Sequence, residues 1–262
     1  MDPSLRTAAT GMMAQQTRVE VISNNLANVN TPGFKRSRAH FEDLLYQTVQ
    51  GQTTLGAGEA ETLPAVQIGR GTRLSAVQRI EMQGSLEMTG RPLDLGIEGE
   101  GYFQVRRNDG QMAYTRDGSF SVSDQGQLVT SSGYGLVPDI TLPQGATELG
   151  ISRTGIVTAF VAGSEQPVEL GRIELARFPN PPGLLALGEN LFSETMASGD
   201  PILGVPQEDG VGRVVQGTLE GSNVEVVQEM VEMIAALRAY EINSKAVQTS
   251  EQMADTTNSM VR

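Results

Sequence analysis

The feature that most constrains the fold of this chain is a stripe of apolar and small residues in its first thirty positions. Its members lie three or four residues apart, with only Gln15 as a polar interruption. They are Leu5, Ala8, Met12, Val19, Ile22, Leu26 and Val29. This spacing predicts a helix that buries one narrow seam against a second helix. Burial contributes roughly 1.5–3 kcal/mol per seam residue, whereas ordering costs on the order of 1.5 kcal/mol for every residue, so the helix requires a partner.

A second stripe with the same spacing lies near the C-terminal end and provides such a partner. It predicts a helix from about Val224 to about Thr257, with Ser222 or Asn223 as the N-cap. The members of this stripe are Val226, Met230, Met233, Leu237, Tyr240, Ser244, Val247, Glu251 and Ala254. We expect the two stripes to pair.

Two further properties of these ends bear on their association. Val227 and Ile234 widen the C-terminal stripe, so the helix offers two faces. Basic residues outnumber acidic ones in residues 1–38, and the reverse holds in residues 222–262. Opposite charges orient the two ends, although exposed ion pairs add little stability. Helices with seams on several faces suit head-to-tail contacts, which generate open polymers.

The middle of the chain has the pattern of a β-rich domain. From Arg73 onward, short apolar or alternating runs are separated by turn residues. Asn108-Asp109-Gly110 and Asp124-Gln125-Gly126 lie between such runs and are strong hairpin signals. Strands at this spacing predict an antiparallel sandwich or barrel.

The segment between the first helix and the β-rich region has a mixed character. Residues 36–46 contain Phe41, Leu44 and Leu45 and predict a short apolar helix or strand. From Gln47 to Pro64 the composition changes to glutamine, threonine, glycine, alanine and glutamate. This composition predicts either a flexible loop or an extended excursion.

Composition argues against several classes of protein. The chain has no cysteine and only one histidine, His40, which disfavours zinc sites and Ser-His-Asp enzymes. A net charge of −12 disfavours a nucleic-acid partner, since phosphates attract basic surfaces. No apolar run approaches the roughly 18 residues of a membrane span, and the first residues lack the hydrophobic region of a signal peptide. We expect a protein that stays in the cytoplasm or leaves by a route that removes no leader.

One group of carboxylates could be mistaken for a hydrolase site. Asp94, Glu98 and Glu100 would share one strand face only if no turn intervened, and the glycines between them favour a turn. Asp117-Gly118-Ser119 is likewise interpreted as a turn rather than a nucleophile. We expect no catalytic residue, cofactor or metal. A β-rich secreted carbohydrate-acting enzyme or adhesin and a coiled-coil regulatory module are the alternatives from other classes.

Three separated blocks of this sequence resemble bacterial flagellar rod and hook proteins. They are Ser23–Arg36, Tyr114–Phe120 with Gly126–Val129 and Gly133–Tyr134, and Asn223–Val231 with Arg238–Lys245. Within that family, the run Phe41–Gln47 is most similar to the distal rod member. The resemblance covers nearly the whole chain.

The resemblance implies an α+β fold. Its N- and C-terminal helices would pair in a coiled-coil-like layer, with an inserted and mainly antiparallel β-domain. We expect the N-terminal helix of the inner core layer in residues 1–35 and a connecting segment with an extended loop in residues 36–75. A β-rich outer domain is expected in residues 76–215, and the C-terminal helix of the inner layer in residues 216–262.

The resemblance also implies a mechanical function. We expect a structural subunit that assembles helically into the flagellar distal rod, a hollow drive shaft between motor and hook. A proximal rod or hook subunit is the alternative within the family. Expected partners are further copies of the chain, proximal rod and hook subunits, the surrounding periplasmic and outer-membrane ring proteins and the flagellar export apparatus. The expected location is the basal body across the periplasm, after export without a cleaved signal peptide.

The stripes and the resemblance together select two groups of residues. Those expected at the assembly interface, where asparagine amides could bond neighbouring subunits, are Leu5, Met12, Val19, Ile22, Asn24, Asn25, Leu26, Asn28, Val29, Val226, Met230, Met233, Leu237, Tyr240 and Val247. The resemblance implies that the segment after residue 46 braces neighbouring subunits and stiffens the tube. Its selected residues are Gln47, Thr54, Leu55, Leu63 and Pro64.

Overall fold

The computed structural model describes residues 3–50, 53–55, 61–63, 65–143, 145–161, 166–208 and 210–260. The chain divides into two units, each built from segments that are distant in the sequence. Unit 1 comprises Met1–Leu26, Ser37–Gln78 and Val226–Arg262, and unit 2 comprises Ala27–Arg36 and Arg79–Glu225.

Two long helices dominate unit 1. Helix α1 spans Pro3–Ala27, and helix α2 spans Val226–Met260. The helices are in contact and run antiparallel. The end of α1 lies beside the start of α2, where Asn25 Nδ2 donates to Glu229 Oε2 at 3.0 Å. The start of α1 lies beside the later part of α2.

Helix α1 ends at the stop signal that the sequence contains. In the turn that follows, the Thr31 amide donates to the Asn28 carbonyl at 3.2 Å. Gly33 then adopts a positive φ of 69°, and a Cβ at this position would lie 2.8 Å from the Arg116 backbone. Both the left-handed conformation and the close approach therefore require glycine.

The first six strands of the chain form three two-stranded ladders. In chain order, β1 to β6 are Ser37–Asp43, Gln47–Gln50, Thr53–Leu55, Glu61–Leu63, Val66–Ile68 and Thr72–Arg79. Strand β1 pairs with β6, while β2 pairs with β5 and β3 with β4 in antiparallel register. The segment from β2 to β5 therefore folds back on itself as nested ladders.

Unit 2 is built from short strands. In chain order, β7 to β22 are Leu86–Met88, Leu95–Glu98, Tyr102–Arg106, Met112–Thr115, Phe120–Val122, Leu128–Thr130, Gly135–Val137, Ala146–Ile151, Ile156–Val161, Val168–Arg172, Leu175–Arg177, Leu185–Gly188, Leu191–Ser193, Ile202–Gly204, Arg213–Gln216 and Thr218–Glu220. A single 3₁₀ turn at Pro181–Gly183 precedes β18 in this part of the described chain.

The strands of unit 2 form one large sheet and several small ones. The large sheet has the order β11-β12-β13-β9-β10-β19-β18, with β17 joined to β9 and β20 joined to β17. Strands β14, β15 and β16 form a three-stranded sheet. The last two strands return to the start of the unit, since β21 pairs with β8 and β22 pairs with β7.

Alternating apolar residues of these strands build the core of unit 2. Phe103 and Phe120 meet edge to face with ring centroids 5.2 Å apart, a favourable aromatic geometry. The buried side chains around them include Leu95, Ile97, Leu128, Leu136, Ile140, Val157, Ile173, Leu175 and Val214. A second aromatic cluster contains Tyr102, Tyr114, Phe178 and Phe192.

The α+β class with paired terminal helices and an antiparallel β-region is confirmed. Both predicted hairpin turns are present, joining β9 to β10 and β11 to β12. The predicted N-cap is wrong: α2 begins at Val226, and Asn223 instead bonds backbone groups of other segments. No helix in the described part of the chain has the length and apolarity needed to cross a membrane.

Candidate assembly interface

Helix α2 packs on α1 through small and polar side chains. Glu229 and Ala236 are buried, and Asn243 lies against Gly11, where an added Cβ would be 2.9 Å from Asn243 Nδ2. These three α2 positions are seven residues apart, which places them on one side of the helix. The face of α2 that contacts α1 therefore contains a carboxylate, an alanine and an amide.

Most of the predicted apolar stripe of α2 lies outside this contact. Met230 and Leu237 are 51% and 46% exposed, and the neighbouring Ile234 is 53% exposed. Of the predicted α2 stripe, four members are partly buried: Met233, Ser244, Val247 and Ala254. The helices pair as expected, but only part of the stripe that the spacing selected is covered.

Six exposed apolar side chains, linked by spacings of three or four residues, lie on one side of the first half of α2, and we name this surface the α2 apolar face. It consists of Val226, Val227, Met230, Val231, Ile234 and Leu237. Scattered exposed apolar residues are normal on monomeric proteins, but a contiguous patch marks an interaction surface.

Helix α1 places its predicted interface residues at different depths. Ile22 is buried, and Asn24 is exposed. The partly buried members are Leu5, Met12, Val19 and Leu26 on the helix, and Asn28 and Val29 in the turn that follows it. Met13, which lies outside the predicted stripe, is largely exposed on the same helix.

Asn25 has a role that the sequence did not predict. Its side chain is buried, and Nδ2 donates to the Ser37 carbonyl at 2.8 Å and to Glu229 Oε2 at 3.0 Å. Oδ1 accepts from the Ser37 amide at 2.9 Å. The amide therefore joins α1, β1 and α2 within unit 1, and we do not assign it to contacts between subunits.

A second exposed surface of unit 1 lies between α1 and the strands that follow it. The Thr72 amide donates to Thr10 Oγ1 at 3.3 Å, and a Cβ at Gly71 would lie 2.1 Å from the same oxygen. Gly71, with a φ of 107°, therefore allows β6 to start directly against α1.

Beside this contact, two adjoining depressions of about 690 and 590 Å³ share Arg6 and Arg70 in their walls. We name their combined surface the arginine groove. Its lining is Arg6, Thr7, Thr10, Asp43, Leu44, Leu45, Gln47, Val49, Ile68, Gly69, Arg70 and Arg73. Three arginines and one aspartate thus surround exposed aliphatic side chains.

The predicted stiffening segment is extended and paired where the structure describes it. Gln47 lies in β2, and its Oε1 accepts from Arg70 Nη2 at 2.8 Å. The backbones of Thr54 and Leu55 lie in β3, and that of Leu63 in β4. Pro64 lies outside the described residues. Of the two sequence interpretations, the extended excursion agrees with these strands.

A buried charge cluster in unit 2 was missed by the sequence analysis. Lys35 Nζ lies 2.6 Å from Glu220 Oε1, and Arg116 Nη1 lies 2.9 Å from Glu220 Oε2. All three side chains are buried. Lys35 also donates to the Met82 carbonyl at 2.8 Å, and the Gly84 amide donates to Glu220 Oε1 at 3.0 Å. Each carboxylate oxygen therefore has a cationic partner.

The charges of this cluster depend on one another. Burial lowers the pKa of the Lys35 ammonium, and Arg116 acts in the same direction. Burial alone would raise the pKa of the Glu220 carboxyl, but Arg116 and Lys35 outweigh burial and hold it below its usual range. Glu220 therefore stays ionised and compensates two buried cations.

Asn223 forms a second junction beside the charge cluster. Its Oδ1 accepts from the Arg36 amide at 2.6 Å. Its Nδ2 donates to the carbonyls of Ile80 and Met82 at 2.8 and 2.9 Å. The Asn223 side chain, which lies shortly before α2, therefore links Arg36 after α1 to Ile80 and Met82. Spacing could not show these bonds, because their partners are distant in sequence.

The carboxylates considered for catalysis are engaged in structural contacts. Glu98 Oε2 pairs with Arg213 Nη2 at 2.7 Å on a partly exposed surface. Asp94 is buried at a β-bridge to Ser119. Asp117 Oδ1 accepts bonds from the Ser119 amide and hydroxyl, as an aspartate in a turn does.

Three family models match separate parts of the chain. The flagella basal body rod protein model matches residues 5–35, and the flagellar hook protein FlgE/F/G D1 domain model matches residues 96–159. The C-terminal model of flagellar basal body rod FlgEFG proteins matches residues 215–260.

Full-length relatives decide the assignment. The chain is 49% identical to flagellar basal-body rod protein FlgG of Caulobacter vibrioides over 98% of each chain. It is 49% identical to FlgG of Borreliella burgdorferi over 99% of this chain and 98% of the relative. Identity to FlgG of Bacillus subtilis is 38%, over 95% and 96% of the two chains.

The chain belongs to the FlgG family of flagellar rod proteins. It is a structural subunit of the distal rod of the flagellar basal body, in a family of structural rather than catalytic proteins. The predictions of family, of rod function and of a non-enzymatic role are confirmed. Membership of the rod family implies flagellar assembly partners.

In this FlgG-family chain, the charge cluster joins the three matched segments. Lys35 lies at the end of the first, Arg116 within the second and Glu220 within the third. The N- and C-terminal rod segments are thus tied to the β-region by ionic contacts as well as by backbone pairing. The structure therefore gives these charged residues a role in the fold of unit 2.

Proposed function

We propose that copies of this chain assemble head to tail into a helical, hollow shaft that transmits torque from the motor to the hook. The observation that carries this proposal is the α2 apolar face. Because α2 contacts α1 through its small and polar side, the six apolar side chains of this face are left 39–71% exposed in unit 1. Burying the rest of each in a neighbouring subunit would contribute about half of the roughly 1.5–3 kcal/mol of a full burial, before ordering costs.

The other expected partners belong to the same proposal. In the basal body, the shaft would join proximal rod subunits at one end and hook subunits at the other. It would cross the periplasm inside periplasmic and outer-membrane ring proteins. The subunits would reach the shaft through the flagellar export apparatus, without cleavage of a signal peptide. The assembly residues proposed from the sequence are retained, apart from Asn25.

The most direct test changes one residue of the α2 apolar face. Ile234→Asp places a charge on a side chain that is 53% exposed, so we expect the subunit to fold normally. In a packed interface the same charge would be buried without a partner. We expect wild-type protein at high concentration to form straight filaments under electron microscopy and Ile234→Asp to form none.

Ala246→Asp is the matched control for this test. Ala246 is exposed on the same helix, but it lies beyond the end of the α2 apolar face and about 120° around the helix from Ile234. We expect this variant to polymerise. Normal filaments of Ile234→Asp, or equal loss in both variants, would contradict the assignment of the α2 apolar face.

We further propose that strands β2 to β5 brace neighbouring subunits and stiffen the shaft. The nested ladders make this segment an extended arm rather than a loose loop. Deleting residues 52–63 removes β3 and β4, keeps both strands of the β2–β5 ladder and leaves Gly51, Pro64 and Ala65 to connect them. We expect filaments of the deletion variant to bend more, with a persistence length reduced at least twofold in electron micrographs.

A second variant separates the effect of strand pairing from that of segment length. It replaces residues 52–63 with a glycine-serine segment of equal length. We expect its filaments to be as flexible as those of the deletion variant, because neither contains the β3–β4 ladder. Filaments as stiff as wild type after the deletion would exclude the bracing role.

A further inference from the structure

Two neighbouring loops of unit 2 hold an exposed methionine on a well-bonded backbone. The loop after β17 and the loop after β19 are joined by hydrogen bonds. The Asn180 side chain donates to the Ala197 carbonyl at 2.8 Å, and Thr195 Oγ1 donates to the Gly183 carbonyl at 2.7 Å. Between these two bonds, Met196 is fully exposed. The chain therefore holds an apolar side chain in solvent on a backbone that is tied down on both sides.

The surface around Met196 is acidic. We name residues 178–184 and 194–201 the double loop. Its exposed members are Pro179, Asn180, Glu194, Met196, Ala197 and Asp200. The sequence from residue 178 to residue 212 contains five acidic residues and no basic one. An exposed apolar tip with carboxylates beside it is the character of this surface.

Arg79 is a basic side chain in contact with the double loop, and its charge is compensated within unit 2. Its Nη2 donates to the carbonyls of Pro181 and Leu184 at 3.3 and 2.9 Å. Its Nε lies 3.4 Å from Glu81 Oε1. Asp200, by contrast, is exposed and forms no hydrogen bond or ion pair with any residue that the structure describes. The carboxylate of Asp200 is therefore available to a partner.

We propose that the double loop of one copy docks in the arginine groove of a second copy of this chain. This inference rests on the proposed polymerisation and names two surfaces that it uses. Open polymers of identical subunits need two different, complementary surfaces on each subunit. The double loop places an apolar tip beside carboxylates, and the groove places exposed Leu45, Val49 and Ile68 beside arginines. The two surfaces are alike in apolar character and opposite in charge.

Charge complementarity selects the second copy as the partner. The chain has a net charge of −12, yet the groove lining has three arginines and one aspartate. Arg70 and Arg73 already bond side chains of unit 1. Arg6 lines both depressions and is exposed, and it forms no ion pair or hydrogen bond among the described residues. Arg6 and Asp200 are thus opposite charges on two exposed surfaces, and we expect them to pair across the contact.

A charge swap in the full chain tests this pair. Arg6→Asp and Asp200→Arg each bring like charges together, so we expect each to raise the protein concentration needed for filament formation roughly tenfold. The double variant restores opposite charges, and we expect that concentration to return to within about threefold of wild type. Both side chains are exposed, so all three variants should keep the wild-type circular dichroism spectrum.

Two further variants separate this contact from a general effect of charge. Glu148→Arg changes the net charge as Asp200→Arg does, at an exposed position of β14 outside the double loop. We expect it to form filaments at the wild-type concentration. Met196→Lys would carry a cation on the apolar tip into a groove bordered by arginines, so we expect a loss of filaments at least as large as that of Asp200→Arg.

Other outcomes overturn the proposal in recognisable ways. Wild-type filament formation by both single variants would exclude the contact, and a double variant as impaired as the single ones would show that Arg6 and Asp200 do not face each other. A swap that changes only the thermal stability of the monomer would place the pair within one chain. In all these cases loss of filaments in Ile234→Asp would still support polymerisation through α2. Failure of the wild-type chain to polymerise would count against the proposed function itself.

Discussion

Replacing Glu220 with glutamine is expected to lower the free energy of unfolding of unit 2 by about 3–5 kcal/mol, the usual cost of breaking a buried ion pair. The variant keeps the shape of the side chain but leaves Lys35 and Arg116 buried without their carboxylate. Burial of uncompensated charge is costly because neither cation can recover its hydration.

Chemical denaturation monitored by tyrosine fluorescence measures this effect, since Tyr102, Tyr114 and Tyr134 lie in unit 2. Glu98→Gln is the matched control. It breaks the Glu98–Arg213 pair, whose side chains are 43% and 37% exposed, so we expect a loss below about 1 kcal/mol. If both variants lost the same free energy of unfolding, burial would not determine how much the charge cluster contributes to stability.

The same cluster predicts a dependence of stability on pH. The lowered pKa of Glu220 means that the folded state favours the ionised carboxyl. The carboxyl therefore stabilises the fold at any pH above its pKa in the unfolded chain, which is about 4.3. This stabilisation is lost as the pH falls through the lower pKa of the folded state. The lowered pKa of Lys35 acts at alkaline pH and in the same direction: the folded state disfavours the ammonium, so stability increases as the pH rises from the folded towards the unfolded pKa of Lys35. Glu220→Gln should lack the acidic part of this profile.

Replacing Asn25 with alanine is expected to destabilise unit 1 by about 2–3 kcal/mol, because the change leaves buried polar groups without partners. Three hydrogen bonds to Ser37 and Glu229 are lost at once. The two long helices lie in unit 1, so far-ultraviolet circular dichroism during denaturation reports on this unit.

Ser23→Ala is the control two positions earlier. Ser23 is exposed on the same helix, and alanine has the higher helix propensity, so we expect an unchanged or slightly higher stability. A comparable loss at both positions would mean that the buried hydrogen bonds of Asn25 do not account for the cost of Asn25→Ala. Wild-type stability of Asn25→Ala would exclude the junction between α1, β1 and α2.

Much of the architecture followed from local sequence patterns. The stop signal after Ala27 and the two glycine-containing turns specify where the chain reverses, since glycine and asparagine adopt backbone conformations that other residues avoid. Seven-residue periodicity identified both terminal helices, and the three motif blocks identified the family. These features depend on neighbouring residues, so the sequence by itself determined them.

Only the tertiary structure decided which face of α2 contacts α1. Periodicity shows where apolar residues lie on a helix, but it does not distinguish a seam within a subunit from a surface for another copy. In unit 1 the contact uses Glu229, Ala236 and Asn243, and the apolar face is left exposed.

The partners of the buried polar residues were also decided by the tertiary structure. Asn25 belonged to a motif whose amides were expected between subunits, yet it bonds Ser37 and Glu229. Lys35 and Glu220 are separated by 185 positions, and no spacing rule connects them. Buried polar groups need partners because desolvation is costly, but the chain fold alone determines which partners come within reach.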